Sequence, residues 1–346
     1  MKSLTKFALI AGASIAGGML SAGGAAAQGN LTVYCGVQEE WCQAMVNAFQ
    51  KETGITVAMT RKSAGEVYAQ VAAEAANPKG DIWWGGTGDP HLQAAEEGLT
   101  LEYESPMLKD LQPWAIDQYN NGKKRTVGIY LGALGFGYNA DLLKQKNLPA
   151  PKCWADLAKP AYKGEVQVAN PNSSGTAYNM LATMVQILGE DEAFKYLKQL
   201  DANVNQYTKS GAAPIQAAAQ GETTIGIVFQ HDVVATQLAT GAPLVTVAPC
   251  EGTGYEIGSE SIIKGAANLE NAKKWYDWAL TVDAQKLAAS EGNSYQVPSN
   301  KDAPTPEHAP KMSEIKLIKY DFAKYGSSAE RKRLLARWDA EIGAAR

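Results

Sequence analysis

Two hydrophobic periods take turns along this chain. "NLTVYCGV" (30–37) is a short apolar run that predicts a strand, and "EEWCQAMVNAFQKETG" an amphipathic helix closed by Gly54. "ITVAMTRKS" predicts a second strand, "AGEVYAQVAAEAANP" a second helix and "GDIWWGG" a third, short, buried strand. Strand and helix alternate, so the sheet is mostly parallel with helices on both faces. Ligands of such sheets lie at the carboxyl ends of the strands, here "YCGVQ", "RKSAGE" and "WGGTGD". Ordinary strand-to-helix turn chemistry would account for any one of these loops taken alone.

"TVGIYLGALGFGYNADLL" is a long, uncharged, glycine-studded segment suited to a strand that crosses between two lobes. A second strand-helix series follows to about residue 254. "YEIGSESIIKGA" reads as the crossing back, after which helices such as "AKKWYDWALT" and a Lys/Arg-rich tail finish the first lobe. The expected organisation is α/β and two-lobed: residues 28–130 and 262–346 form one discontinuous lobe, residues 131–261 the other, joined by two strands.

The amino terminus changes the compartment. Lys2 and Lys6 precede an apolar, small-residue run, and "SAGGAAAQGN" supplies an Ala-x-Ala cleavage site ending at Ala27, so residues 1–27 read as a signal peptide for export to a periplasm. No later segment is apolar for long enough to span a bilayer, which predicts no stable membrane insertion. Cleavage removes two lysines and no acid, taking the formal charge from −4 to −6. A nucleic-acid partner is not expected of such a chain. Four cysteines in an exported chain suggest two disulfides: Cys35 with Cys42 across a strand-to-helix turn, and Cys153 with Cys250, both in loop-like sequence. Free buried thiols are the alternative. No Cys/His spacing resembles a zinc site, and the three histidines are His91, His231 and His308.

"ANPNSSGTAYNML" sets small polar residues against the start of an apolar helix. Ser173 or Ser174 can cap it and Gly175 permits close backbone approach. Such a helix start, facing a cleft, attracts anions through its unpaired N–H groups and its dipole.

With these segments in view, the chain resembles the extracellular solute-binding proteins of ABC importers. The likeness rests on the signal peptide, "LTVYCG", "YNADLL", "NPNSSGTAY", "KSGAAPIQAAAQGE" and "EGTGYEIGS" in that order, and covers essentially the whole mature chain. More narrowly it resembles the branch related to periplasmic ferric-iron-binding proteins. The resemblance implies a type II two-lobed fold, a monomer that hinges shut on its ligand, and permease subunits of an ABC transporter as partners.

Ferric-binding relatives hold iron with two adjacent tyrosines, often helped by a His and a Glu, because ferric iron wants hard anionic donors. This chain has no Tyr-Tyr pair. Gln230, His231 and Asp232 stand where the pair would fall, Gln38 where the His would, and Gly86 where the Glu would. The likeness therefore implies the fold without the metal, and no cofactor is expected. The family's anion-binding positions carry Thr87, Ser174, Gly175, Thr176 and Ser210, which implies a phosphoryl group held without metal. Gln38, Ser63, His231, Asp232 and Glu256 offer hydrogen bonds to the organic remainder of the ligand. Glu251 is a second acid in the same "EGTGYEIGS" stretch. The His-Asp pair and "EGTGYEIG" resemble the hexose-phosphate-binding members. Aminoethylphosphonate-binding relatives are the nearest competitor, since an ammonium also suits Asp232 and Glu256. Charged acids opposite an anion site would repel a small dianion, favouring a ligand with hydroxyls or an ammonium at its far end.

One of Trp83 and Trp84 must face the core in so short a strand, and Trp84 is a candidate to stack on a sugar ring. Asp232 and His231 could in principle serve a nucleophilic serine, but no strand-GxSxG-helix elbow or metalloprotease helix is present, so an enzyme is not expected.

Overall fold

The structure, a computed structural model, describes residues 29–343. The signal peptide expected over residues 1–27 lies outside them. Ten strands follow in chain order: β1 (Asn30–Cys35), β2 (Thr56–Arg61), β3 (Ile82–Trp84), β4 (Val127–Asn139), β5 (Val166–Ala169), β6 (Val204–Thr208), β7 (Ile225–Phe229), β8 (Leu244–Val247), β9 (Tyr255–Ile262) and β10 (Val297–Pro298). Their lateral order is β2-β1-β3-β9-β4-β7-β5-β6, with β8 and β10 also paired to β4.

β4 makes the molecule bipartite. Its first half, Val127–Ala133, runs antiparallel to β9, and its second half, Leu134–Asn139, runs antiparallel to β7 and β8. Thirteen almost wholly buried residues without a charge allow one strand to serve two sheets in turn. Around it β1, β2 and β3 are parallel in one half, and β5, β6 and β7 are parallel in the other. This is the mostly parallel, helix-covered α/β arrangement that the alternating periods predict. The helix after β1 spans Glu39–Thr53 and stops at Gly54, which takes the left-handed conformation at φ 71°.

Each half has its own core. Leu31, Val33, Phe49, Ile82 and Trp275 pack in the first, and Phe136, Val166, Tyr178, Leu181 and Phe194 in the second. The C-terminal helix Ser328–Glu341 departs from the expectation that the tail completes the first lobe. Its Leu334 and Trp338 share a core with Tyr178, Leu181 and Leu197 of the second half, together with Leu92 of the first. Its buried Arg331 bonds Gln93 Oε1 of the first half at 2.7 Å and lies over the Tyr178 ring of the second at 3.9 Å. An apolar face must be covered by something, and here both halves cover it.

Both expected disulfides are present, Cys35–Cys42 and Cys153–Cys250, and no described cysteine is free. Cys35 ends β1 and Cys42 lies on the following helix, so the first bridge ties a strand end to its own crossover. The second pins the Trp154–Leu157 turn to the approach to β9. No helix among the described residues is long and apolar enough to cross a membrane.

Candidate ligand-binding site

Several helices begin at the waist between the halves, each directly after a strand. Ser63 precedes the Ala64–Ala73 helix, Thr87 the Gly88–Glu96 helix, Ser174 the Gly175–Leu188 helix, and Phe229 the Gln230–Thr240 helix. Their N-terminal amides and dipoles converge on one small cleft of about 50 Å³. That cleft is lined by Gln38, Ser63, Thr87, Ser174, Gly175, Thr176, His231, Asp232 and Glu256, nine of the eleven ligand-contact residues named from the sequence.

The hydroxyl end is tightly built. Ser174 Oγ caps its helix by accepting the Ala177 N–H at 3.5 Å. Thr87 Oγ1 is buried without a hydrogen-bond partner, a donor held ready. A Cβ on Gly175 would overlap Thr87 Oγ1, and one on Gly211 would overlap Thr176 Oγ1, so glycine is what lets these elements meet. Ser210 sits beside this wall rather than in it: its Oγ accepts from Arg61 Nη2 at 3.4 Å, and its neighbours Gly211 and Ala212 line the cleft.

The two halves touch across the cleft. Gln38 donates to Asp232 Oδ1, Gly65 N–H to Ser173 O at 3.0 Å, and Arg61 to Ser210. This is a closed arrangement, because each bond joins a residue before β4 to one after it.

Arg61 escaped the sequence reading. It ends β2, donates from Nε to Val37 O at 2.8 Å, and is the sole Lys or Arg lining the cleft among the described residues. Its segment "RKSAGE" was already marked as a strand-end loop, and that position was the available signal. Tyr130 and Gln296 were missed as well. Tyr130 comes from the first half of β4, its ring lies where a Cβ on Gly258 would be, and its hydroxyl accepts from Gly86 N–H at 3.1 Å.

Opposite the hydroxyls stands a buried titratable trio. His231 Nε2 is 3.7 Å from both Asp232 Oδ1 and Glu256 Oε1, and all three side chains are almost inaccessible. Burial drives the His231 pKa down to about 3. Burial raises that of Asp232 to about 7, against a smaller lowering by Arg61. Burial, reinforced by the charges of Asp232 and Asp89, holds Glu256 well above the carboxylate range. At neutral pH His231 is therefore uncharged and Asp232 partly so, while Glu256 is shifted toward its protonated form. Desolvation shifts Asp232 and Glu256 toward their neutral forms, which weakens the repulsion expected of charged acids, and the fixed positive character comes from Arg61 and the helix starts. Glu251, the other acid of that stretch, lies elsewhere, where it accepts the Trp154 and Ala155 N–H groups at 2.8 Å each.

Trp84 is not in this cleft. β3 is covered on both faces, so alternation sends Trp83 onto His91, stacked at 3.7 Å, and Trp84 edge-on against Trp41 at 5.1 Å. As for metals, the one cluster with suitable donor spacing among the described residues is Cys153, Cys250 and Glu251, and a disulfide consumes its two sulfurs.

A two-sheet molecule with a long shared strand and a polar cleft at its waist defines the class. Residues 78–325 match the family model described as bacterial extracellular solute-binding protein, and the chain belongs to that family. It is similar to the periplasmic binding protein AfuA from Actinobacillus pleuropneumoniae, whose structure contains exogenous fructose-6-phosphate: 43% identity, TM-score 0.87, over 91% of this chain and 99% of that one. The periplasmic binding protein P5PA is comparably similar, at 40% identity and TM-score 0.88 over 91% and 100%. A Salmonella typhimurium periplasmic protein whose name gives it as 2-aminoethylphosphonate-binding is 29% identical over 78% of this chain and 77% of its own length.

Proposed function

We propose that this chain is the periplasmic receptor of an ABC importer and that it closes on a hexose phosphate. Thr87, Ser174, the Gly175 amide, Thr176 and Arg61 hold the phosphate, with Ser210 positioning Arg61. Gln38, Ser63, His231, Asp232 and Glu256 take the sugar hydroxyls. The observation that carries the reading is the pairing, in one closed cleft, of a hydroxyl-and-amide anion cradle with a buried His-Asp-Glu trio. Glu256, shifted by burial toward its protonated form, can then donate a hydrogen bond, and neutral His231 can donate and accept, which is what vicinal hydroxyls require. The similarity to AfuA, with its bound fructose-6-phosphate, supports the same choice.

A 2-aminoethylphosphonate ligand is the second reading. Asp232, ionised at the upper end of its range, would face the ammonium, and the Salmonella relative supports it. Residues 1–27 as a cleaved signal peptide, permease subunits as partners, a monomeric state and the absence of catalysis complete the proposal. So does a division into lobes at 28–130 with 262–346 and at 131–261, with the Ser328–Glu341 helix packed against both. Calorimetry with fructose 6-phosphate, glucose 6-phosphate, 2-aminoethylphosphonate and inorganic phosphate tests the ligand. The proposal predicts tightest binding of a hexose phosphate with the sugar phosphate recovered unchanged. Tighter binding of 2-aminoethylphosphonate would replace it with the second reading.

A further inference from the structure

The helices Gly88–Glu96 and Gly175–Leu188, which start behind Thr87 and Ser174 at the phosphate end of the cleft, belong to different halves and share one neighbour. That neighbour is Arg331, one turn into the Ser328–Glu341 helix. Its side chain is buried, donates from Nε to Gln93 Oε1 on the first of these helices at 2.7 Å, and lies over the Tyr178 ring of the other at 3.9 Å. Asp89, on the first turn behind Thr87, is buried too. Its Oδ1 accepts from the Tyr320 hydroxyl at 3.2 Å, and its Oδ2 has no hydrogen-bond partner among the described residues. Burial raises the Asp89 pKa and the charge of Arg331 lowers it, so this carboxyl feels the same guanidinium. At 1.5 Å per residue, Gln93 lies about 7.5 Å along its helix from Gly88, and Tyr178 about 4.5 Å from Gly175. A buried charge stripped of a partner is strongly destabilising, so Arg331 holds both helices at one spacing within two turns of the cleft. The cleft has no slack there, since a Cβ on Gly175 would overlap Thr87 Oγ1. Lys332, next in sequence, ties the same tail to Glu97 of the first half alone at 2.7 Å, at the surface, where an ion pair contributes little.

We propose that Arg331 is a positioning residue for anion capture: it sets the spacing of two helix starts so that Thr87 and the Gly175 amide reach one phosphate group. The inference rests on the reading of the cleft as a phosphate site, and Arg331 itself is not among the residues lining that cleft. Calorimetry with fructose 6-phosphate and inorganic phosphate tests it. Arg331→Met should weaken both ligands by one common factor, roughly 2- to 30-fold, the range for residues that act on a site through packed neighbours. Gln93→Met, which leaves Arg331 on Tyr178, should weaken both ligands in the same sense, and it carries the test where thermal unfolding finds Arg331→Met unfolded. Arg331→Lys, which keeps the cation, should recover part of the loss. Lys332→Ala, which cuts a tie to one half only, should bind as the wild type does. Thr87→Ala combined with either Met variant should cost less than the product of the separate factors, because the spacing matters less once the hydroxyl it places is gone. Wild-type affinity in both Arg331→Met and Gln93→Met would overturn the inference and leave the phosphate reading standing. Separate factors that simply multiply, or an equal loss in Lys332→Ala, would do the same. A wild type that binds neither ligand would overturn the phosphate reading and this inference with it.

Discussion

Gly175→Ala is the sharpest perturbation of the cleft. In the closed arrangement the added Cβ would overlap Thr87 Oγ1 and lie 2.9 and 3.0 Å from Thr87 Cβ and Cγ2, well inside the 3.4–4 Å of ordinary contact. Gly175 is the first residue of a helix, where alanine is at least as acceptable as glycine, so an open form bears no penalty. The cost falls on closure alone. Overpacking by one methyl costs about 1–3 kcal/mol, which converts to roughly a 5- to 150-fold loss of affinity at 1.4 kcal/mol per factor of ten. Calorimetry with fructose 6-phosphate reads the loss, and small-angle scattering at saturation reads incomplete compaction. Adding Thr87→Ala removes the overlapping oxygen but keeps the Cβ at 2.9 Å, so the double variant should compact more fully than Gly175→Ala. Wild-type affinity in Gly175→Ala, or no recovery of compaction in the double variant, would refute the steric account.

The other expectations concern charge, hydroxyls and cross-links. Thr176→Val should weaken every phosphorylated ligand by about 1.5–3 kcal/mol, the range for a hydrogen bond to a charged group, whereas Asp232→Asn should weaken hexose phosphate and leave inorganic phosphate unchanged or slightly tighter; equal losses for both ligands in calorimetry would contradict a divided site. Asp232, raised from 3.8 to about 7, contributes stability that is lost as pH rises across that window, and His231, lowered from 6.5 to about 3, contributes stability that is lost as pH falls from 6.5. Asp232→Asn removes the first slope, so between about pH 4 and 7 the unfolding free energy of the variant should rise more steeply with pH, or fall less, than that of the wild type, measured by urea titration; the same slope in both proteins would count against the assignment. Loss of Cys153–Cys250, whose partners are 97 residues apart, should cost about 4.7 kcal/mol, and loss of Cys35–Cys42, 7 apart, about 2.3 kcal/mol, by loop-closure entropy. Unfolding of the paired Cys→Ala variants checks that order.

Much of the site was legible because its parts carry local signatures. Gly175 with Ser174 and Thr176 announces a helix start, and the single run from Val127 to Asn139, long and uncharged, announces a strand shared by two sheets. The His-Asp pair stands out because it follows the all-buried strand β7 directly. Arg61 has no such signature: one basic residue among 32 Lys and Arg is marked only by the strand end it occupies, and what it faces is set by the opposite half. Tyr130 and Gln296 enter the cleft from 166 residues apart, a proximity that pairing of β10 with β4 creates. Trp84 is absent from the cleft lining because alternation sets Trp83 and Trp84 on opposite faces and does not reveal that both are almost wholly buried. Likewise the tail's apolar residues are readable, while the surface that buries them is a tertiary fact.

A crystal structure of the protein grown with fructose 6-phosphate tests the central claim most directly. The account predicts phosphate density among Thr87, the Gly175 amide, Thr176 and Arg61, with sugar hydroxyls within hydrogen-bond distance of His231, Asp232 and Glu256. A phosphate bound elsewhere, or a sugar ring that touches none of that trio, would contradict it.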